Sequence, residues 1–258
     1  MRIGLLSDIY GNLPALEAAW TWVCGEGPEA VVCLGDLVGY GPFPSEVVGF
    51  VRSHGIETVQ GNWDRAAGRG RSDPGDEFTD PTWRKLARES LAWTVSALGS
   101  DDARFLRELP TELRFRAERS DLLCVHGLPG NVSGRLGTEA AGDVLDSLLR
   151  RNGCSVLASG NTGRPAVAVR PGGCMVNPGS VGGGTYPSAA SAAVIEAGGR
   201  GGVPVWWQRI EYDFEGYERA YLGAGLPGIF LRCFRTGRAP TGEWMTDDTR
   251  WRQRWAEP

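Results

Sequence analysis

The sequence predicts an α/β protein in which a helix-flanked series of strands is followed by an antiparallel portion that completes a second sheet. Three observations carry this. Short apolar runs alternate with amphipathic stretches as far as Ser159, five of those runs stop at a polar residue, and from Pro165 the texture changes to short β runs separated by Gly and Pro.

The elements follow in order. Ile3 to Ser7 is a short buried strand that stops at Asp8, and a helix over about Leu13 to Cys24 has Asn12 as its N-cap and Leu13, Leu16, Trp20 and Val23 along one face. The unit recurs: Ala30 to Leu34 stops at Gly35-Asp36, a helix covers about Ser45 to Ser53, and Glu57 to Gln60 stops at Gly61-Asn62. Asp80 to Leu109 is a helical insertion with Pro81 near its start, broken into a helix to about Leu98 and a shorter one from Asp101. Leu122 to Val125 is a fourth strand ending at His126-Gly127, a helix spans about Thr138 to Arg150, and Ser155 to Ser159 is a fifth strand ending at Gly160-Asn161. The later β runs are Ala166 to Arg170, Cys174 to Asn177, Ala190 to Ile195 and Val203 to Tyr212, followed by helical pieces at Phe214 to Leu222 and Gly228 to Thr236.

Bulk properties narrow the function classes. At 258 residues the chain forms one domain, expected over 1–236, with a polar tail over 237–258 whose Trp244, Trp251 and Trp255 are expected to dock on the body or on a second subunit. A formal charge of -4 gives no general attraction to nucleic acid or anionic membrane. No stretch approaches the roughly 18 uninterrupted apolar residues of a membrane span. The first apolar run meets Asp8 too soon to serve as a secretory signal, so a cytoplasmic location is expected. Six dispersed cysteines without CxxC spacing suit buried, reduced thiols.

In open α/β sheets, ligands gather beyond the carboxyl ends of the strands, which makes Asp8, Asp36 and Asn62 candidates for one site. Buried carboxylates are costly unless paired, so Asp8 and Asp36 point to a site rather than to loop capping. Hydrolysis of a phosphate ester needs a strong oxygen nucleophile and neutralisation of phosphoryl charge, which metal cations held by carboxylate, amide and imidazole supply. The ordered set here is Ser7-Asp8-Ile9-Tyr10, Gly35-Asp36-Leu37-Val38-Gly39, Gly61-Asn62-Trp63-Asp64, His126-Gly127 and Gly160-Asn161-Thr162-Gly163-Arg164.

This set resembles the calcineurin-like metallophosphoesterases, through their patterns D-x-H, G-D-x-x-G, G-N-H-D, H-G and G-H-T-H. Gly39-Tyr40-Gly41-Pro42, Leu91-Ala92-Trp93-Thr94, Leu109-Pro110 and Val176 to Gly182 resemble the small bacterial and archaeal phosphodiesterase branch. The resemblance implies a two-sheet β-sandwich flanked by helices, layered α/β/β/α. It also implies two metal sites, and here the sequence departs from the pattern. The first would take Asp8, Asp36 and two histidines that are Tyr10 and Gly163 in this chain, so it is expected to be empty or weak. The second would take Asp36, Asn62, His126 and a histidine that is Asn161 here, donors suited to a hard cation such as Mn²⁺ or Mg²⁺. The histidine of G-N-H-D is Trp63, whose indole transfers no proton. Arg65 and Arg164 are the candidates to face a phosphate.

Two functions follow. One is a metal-dependent hydrolase of phosphomonoesters, phosphodiesters or nucleotides using one bound divalent cation. The other is an inactive relative, with or without metal, that binds a phosphate-containing small molecule or a protein partner, with the tail as a homo-oligomer contact. Loss of three histidines favours the second; retention of Asp8, Asp36, Asn62 and His126 together keeps a binding role in either.

Overall fold

The computed structural model describes residues 1–76, 80–117, 120–137, 142–198 and 203–238. Its first half runs β1 (Arg2–Leu6), α1 (Leu13–Gly25), β2 (Ala30–Cys33), α2 (Pro44–Ser53), β3 (Glu57–Thr58), α3 (Asn62–Gly68), α4 (Pro81–Ala97) and α5 (Ser100–Glu108). The second half runs β4 (Glu112–Ala117), β5 (Ser120–Val125), α6 (Gly142–Asn152), β6 (Val156–Ser159), β7 (Pro165–Arg170), β8 (Gly173–Pro178), β9 (Ala189–Glu196), β10 (Val205–Glu211), α7 (Phe214–Gly223) and α8 (Gly228–Thr236). The Trp-rich tail beyond 238 and the expected start of the sixth helix at Thr138 lie outside the described residues.

Two five-stranded sheets form, ordered β10-β9-β1-β2-β3 and β4-β5-β6-β8-β7. Strand alternation sorts the apolar side chains into layers. Ile3 and Leu5 of β1 meet Leu122 and Cys124 of β5, Val156 and Ala158 of β6, and Val176 of β8 in a core between the sheets. The opposite face of the first sheet, through Leu6, packs under α1, α2, α7 and α8, while Leu123, Val125, Leu157 and Met175 pack under Leu145 and Leu149 of α6. The result is the expected four-layer α/β/β/α sandwich. Each fully buried Leu, Ile or Val contributes roughly 1.5–3 kcal/mol.

The later strands divide differently from the expectation that they jointly complete a second sheet. Only β7 and β8 join it, β8 lying parallel to β6, whereas β9 pairs antiparallel with β1 and extends the first sheet together with β10. The first helix also presents a face other than expected. Ala15, Leu16, Ala19 and Val23 are buried, while Leu13 and Trp20 are only half-buried. The cause is close packing: a Cβ on Gly4 would lie 2.2 Å from Val23 Cγ1, so α1 sits low on β1 and small alanines face the sheet. Asn12 caps the helix as expected, accepting from the Ala15 N–H. All six cysteines are free thiols, five of them buried and Cys24 exposed.

Candidate metal centre

The strand ends of both sheets meet at one place. Asp8 follows β1, Asp36 follows β2, Asn62 opens α3 just beyond β3, His126 follows β5 and Asn161 follows β6. The loops are knitted by backbone bonds from Asp8 N to Gly35 O, from Ile9 and Tyr10 N to Asp36 O, and from Gly182 N to Asp8 O. Among the described residues, five non-glycine residues adopt a left-handed backbone, and four of them are Asp8, Tyr10, Asp36 and Asn161. That conformation folds a side chain back over the strand end it leaves; Asp and Asn tolerate it, whereas for Tyr10 it is strain of the kind that collects at functional sites.

Three groups, Asp8, Asp36 and His126, each offer a ligand atom within 4.8 Å of the others, and all three are wholly buried. His126 Nδ1 lies 2.6 Å from the Leu34 carbonyl, an acceptor only, so Nδ1 carries the proton and Nε2 faces the centre. Nε2 is 3.1 Å from Asn62 Oδ1 and 3.3 Å from Asp36 Oδ2. The Asp36 contact is an ion-pair distance without hydrogen-bond geometry, and Asp36 Oδ2 receives no hydrogen bond from any described residue, whereas Oδ1 accepts from the Trp63 N–H at 2.9 Å. A Cβ on Gly61 would fall 2.0 Å from that Oδ1, so only glycine fits there.

The charges explain the proton affinities. Burial raises Asp8 and lifts Asp36 to about 6, opposed in both by His126. Burial alone would lower His126, but the Asp36 and Asp8 carboxylates and the Leu34 carbonyl raise it to about 10. The imidazolium thus stands where a cation is called for. A buried carboxylate oxygen without a donor, an amide oxygen and an imidazole nitrogen turned to the same point fit a divalent cation.

Asp8 itself is enclosed. Ser7 Oγ donates to its Oδ2 at 2.8 Å, Tyr10 OH donates to Oδ1 at 3.1 Å, and the Asn161 N–H adds a further bond. Burial, then the Asp8 and Asp36 charges, push the Tyr10 phenol well above its ordinary value, so it is a protonated donor and not an anionic ligand. Asn161 donates its Nδ2 to Gly134 O at 2.8 Å. Arg65 donates Nε to Gln60 Oε1 at 3.0 Å, and Arg164 is exposed beside Gly163. The stretch Val176 to Gly182 acts as a clamp. Asn177 Nδ2 donates to Gly160 O at 2.9 Å, and Ser180 Oγ donates to Asp8 O at 2.9 Å.

One member of the network carried no signal in the sequence. Asp76, in the loop before α4, takes hydrogen bonds from Asn62 Nδ2, Trp63 Nε1 and Tyr40 OH. It lies outside every motif, and only the fold brings it to residues 13 to 36 positions away.

Oxygen and imidazole donors gathered at the strand ends of two facing sheets make this a metallophosphoesterase-like protein. Residues 1–199 match the calcineurin-like phosphoesterase superfamily domain, and the chain belongs to that superfamily. A hypothetical protein of Pyrococcus horikoshii shares the fold at 23% identity and a TM-score of 0.76, over 92% of this chain and 98% of that one. A metallophosphoesterase of Sphaerobacter thermophilus is similar at 25% identity and a TM-score of 0.69, over 92% and 99% of the two chains. An uncharacterized protein of Methanocaldococcus jannaschii is 30% identical over 127 residues, 49% of each chain, so the match spans about half the length of that curated relative. Among the described residues no helix is long and apolar enough to cross a membrane.

Proposed function

We propose that this chain is a metal-dependent phosphoesterase that works with a single divalent cation, Mn²⁺ or Mg²⁺, held by Asp36, Asn62 and His126, and that hydrolyses phosphomonoesters, phosphodiesters or nucleotides. The observation that carries the reading is the Asp36 Oδ2 atom, buried and without a donor beside His126 Nε2. Hard oxygen donors with one imidazole suit Mn²⁺ or Mg²⁺ over softer ions. Such a cation supplies Lewis-acid polarisation of a phosphoryl oxygen and lowers the pKa of a water. Asp36 and Asn62 present oxygen, His126 presents Nε2 with its tautomer fixed by Leu34, and Asp8 accepts a hydrogen bond from water at the centre. Arg164, exposed beside the 160–163 turn, is assigned to the phosphate, and Arg135 joins it, because it adjoins Gly134, the acceptor of Asn161, and its charge reaches Tyr40. Arg65 is bound to Gln60 and is assigned no phosphate contact.

A second reading is favoured by Asp8, both of whose oxygens are already taken by Ser7 and Tyr10. In it the chain binds a phosphate-containing molecule or a protein partner without turnover. The test is metal content after purification without chelator, then Mn²⁺ titration of wild type and Asp36→Asn, then assay of aryl phosphomonoesters and diesters. One equivalent bound by wild type and lost in the variant, with Mn²⁺-dependent hydrolysis, is the expected result. Metal and phosphate binding without turnover selects the second reading, and no bound metal ends the single-cation centre.

A pH dependence follows. His126, raised to about 10, keeps its proton in the metal-free protein at neutral pH and must release it to offer Nε2. The apparent affinity for Mn²⁺ is therefore expected to rise about tenfold per pH unit from about pH 7 to 9, with about one proton released per cation. Calorimetry in buffers of different ionisation enthalpy measures that proton, and a flat profile would show that the ring binds from a neutral state.

A further inference from the structure

An amide ligand has a weakness that a carboxylate does not share: rotation by half a turn replaces its oxygen donor with an NH₂ group. Asn62 is prevented from this rotation by what faces its Nδ2. The Pro74 carbonyl lies 3.1 Å away and Asp76 Oδ1 lies 3.1 Å away, and both are acceptors only. With the NH₂ so engaged, Oδ1 is turned to His126 Nε2, which itself lies 3.3 Å from the open Asp36 oxygen.

Asp76 is in turn held from two sides. Its Oδ2 accepts from Tyr40 OH at 3.1 Å and from Trp63 Nε1 at 3.0 Å. The Tyr40 ring is packed on Trp63 and on Phe230 of α8, with ring centres 4.3 and 4.5 Å apart, so neither donor is free to swing. The loop is anchored on its other flank, where Asp73 Oδ1 accepts from the Gly75 N–H at 2.8 Å and Arg88 bonds Asp73 Oδ2. The indole at position 63 thus has a task that accounts for its polar atom: it secures the residue that aligns its neighbour.

We propose that Asp76 is the positioning residue of the metal centre, fixing the carbonyl oxygen of Asn62 toward the cation while Tyr40 and Trp63 clamp Asp76 itself. The inference rests on the single-cation centre and deepens it by adding the group that makes an amide a dependable ligand. Outer partners of this kind change metal affinity by about 10–100-fold when removed.

The experiment is calorimetric titration with Mn²⁺ of wild type, Asp76→Ala, Asn62→Asp and the double variant Asp76→Ala/Asn62→Asp, with the visible spectrum of the Co²⁺-loaded proteins recorded alongside. Asp76→Ala is expected to bind about 10–100-fold more weakly, with a changed Co²⁺ band. The double variant is expected to recover affinity, because a carboxylate presents an oxygen whichever way it turns. Asn62→Asp alone is expected to lose affinity, since it sets a second carboxylate against Asp76. If Asp76 only ties its loop to the body, the double variant stays as weak as Asp76→Ala, and the proposal is overturned. Equal binding by wild type and Asp76→Ala with the same Co²⁺ band overturns it while leaving the single-cation centre standing. Absence of Mn²⁺ binding by wild type ends both. Should Asp76→Ala fail to fold, Tyr40→Phe keeps the ring and removes one clamp: an affinity loss of about threefold or more supports the proposal, and unchanged affinity overturns it.

Discussion

Asp64→Ala is expected to cost at least about 4 kcal/mol of folding stability, a large part of the roughly 5–15 kcal/mol that holds a typical domain folded. The reason is the number of backbone groups that depend on one carboxylate. Asp64 Oδ2 accepts from the Asp36 N–H at 2.8 Å and the Gly61 N–H at 2.9 Å, while Oδ1 accepts from Leu37 at 2.8 Å and Val38 at 3.3 Å. The Gly61 bond is the helix-capping half of the arrangement, from the third residue of α3 back to its N-cap. The other three hold the 36–38 turn in the shape that gives Asp36 its left-handed backbone. Alanine leaves four buried N–H groups without acceptors, each costing about 1–3 kcal/mol. Asn keeps one oxygen but turns an NH₂ toward two donors, so Asp64→Asn is expected to fall between. Urea unfolding of the metal-free proteins measures the series, and an Asp64→Ala midpoint close to wild type would mean that water reaches these amides.

That carboxylate also marks the boundary of what the sequence discloses. Asp64 stands inside a motif, yet its work is structural, and no pattern of residue types separates it from Asp36 one strand away. The β-turn-α units were legible because an apolar run cut off abruptly by Asp or Asn marks both a buried strand and the point where it leaves the sheet. β4 was missed because it is an edge strand whose faces alternate exposed and half-buried, with Glu112, Arg114 and Arg116 outward, so it lacks an apolar run. α3 was missed because seven residues are too few to establish a helical period. Which sheet each later strand joins was illegible for a different reason: alternation shows how a strand is buried, and pairing is settled only by where the connections let it return. At the site, Asp8, Asp36, Asn62 and His126 were visible as strand-end residues. Asp76 was not, because its partners come from the start of α3 and the loop before α2, and its own segment reads as an ordinary turn.

The residue on which most of the centre turns is His126, and its loss is expected to destabilise the chain both with and without metal, for different reasons. In the metal-free protein its charge is the counter-ion of two wholly buried carboxylates. Removing one partner of such a group costs about 3–5 kcal/mol, so His126→Ala in chelator at neutral pH is expected to unfold that much more readily than wild type. The sign with pH is fixed by the direction of the shifts. His126 is raised from 6.5 to about 10, so its contribution is fully present below about pH 6.5 and is lost as pH rises through 10. Asp36, raised by burial to about 6, adds to the same trend at lower pH, since an acid that holds its proton more tightly when folded favours the fold in acid. Metal-free wild type should therefore lose stability steadily from about pH 6 to 10, whereas in His126→Ala the fall should follow the buried carboxylates alone, which hold their protons still more tightly once the imidazolium that lowers them is gone. Saturating Mn²⁺ should restore wild type, by about 2.7 kcal/mol at a hundred times its dissociation constant, and leave the variant unmoved. Thermal melting across pH, with chelator and with Mn²⁺, measures all four curves. If Mn²⁺ stabilised His126→Ala as much as wild type, the cation would be bound elsewhere, and the Asp36–Asn62–His126 centre would have to be given up.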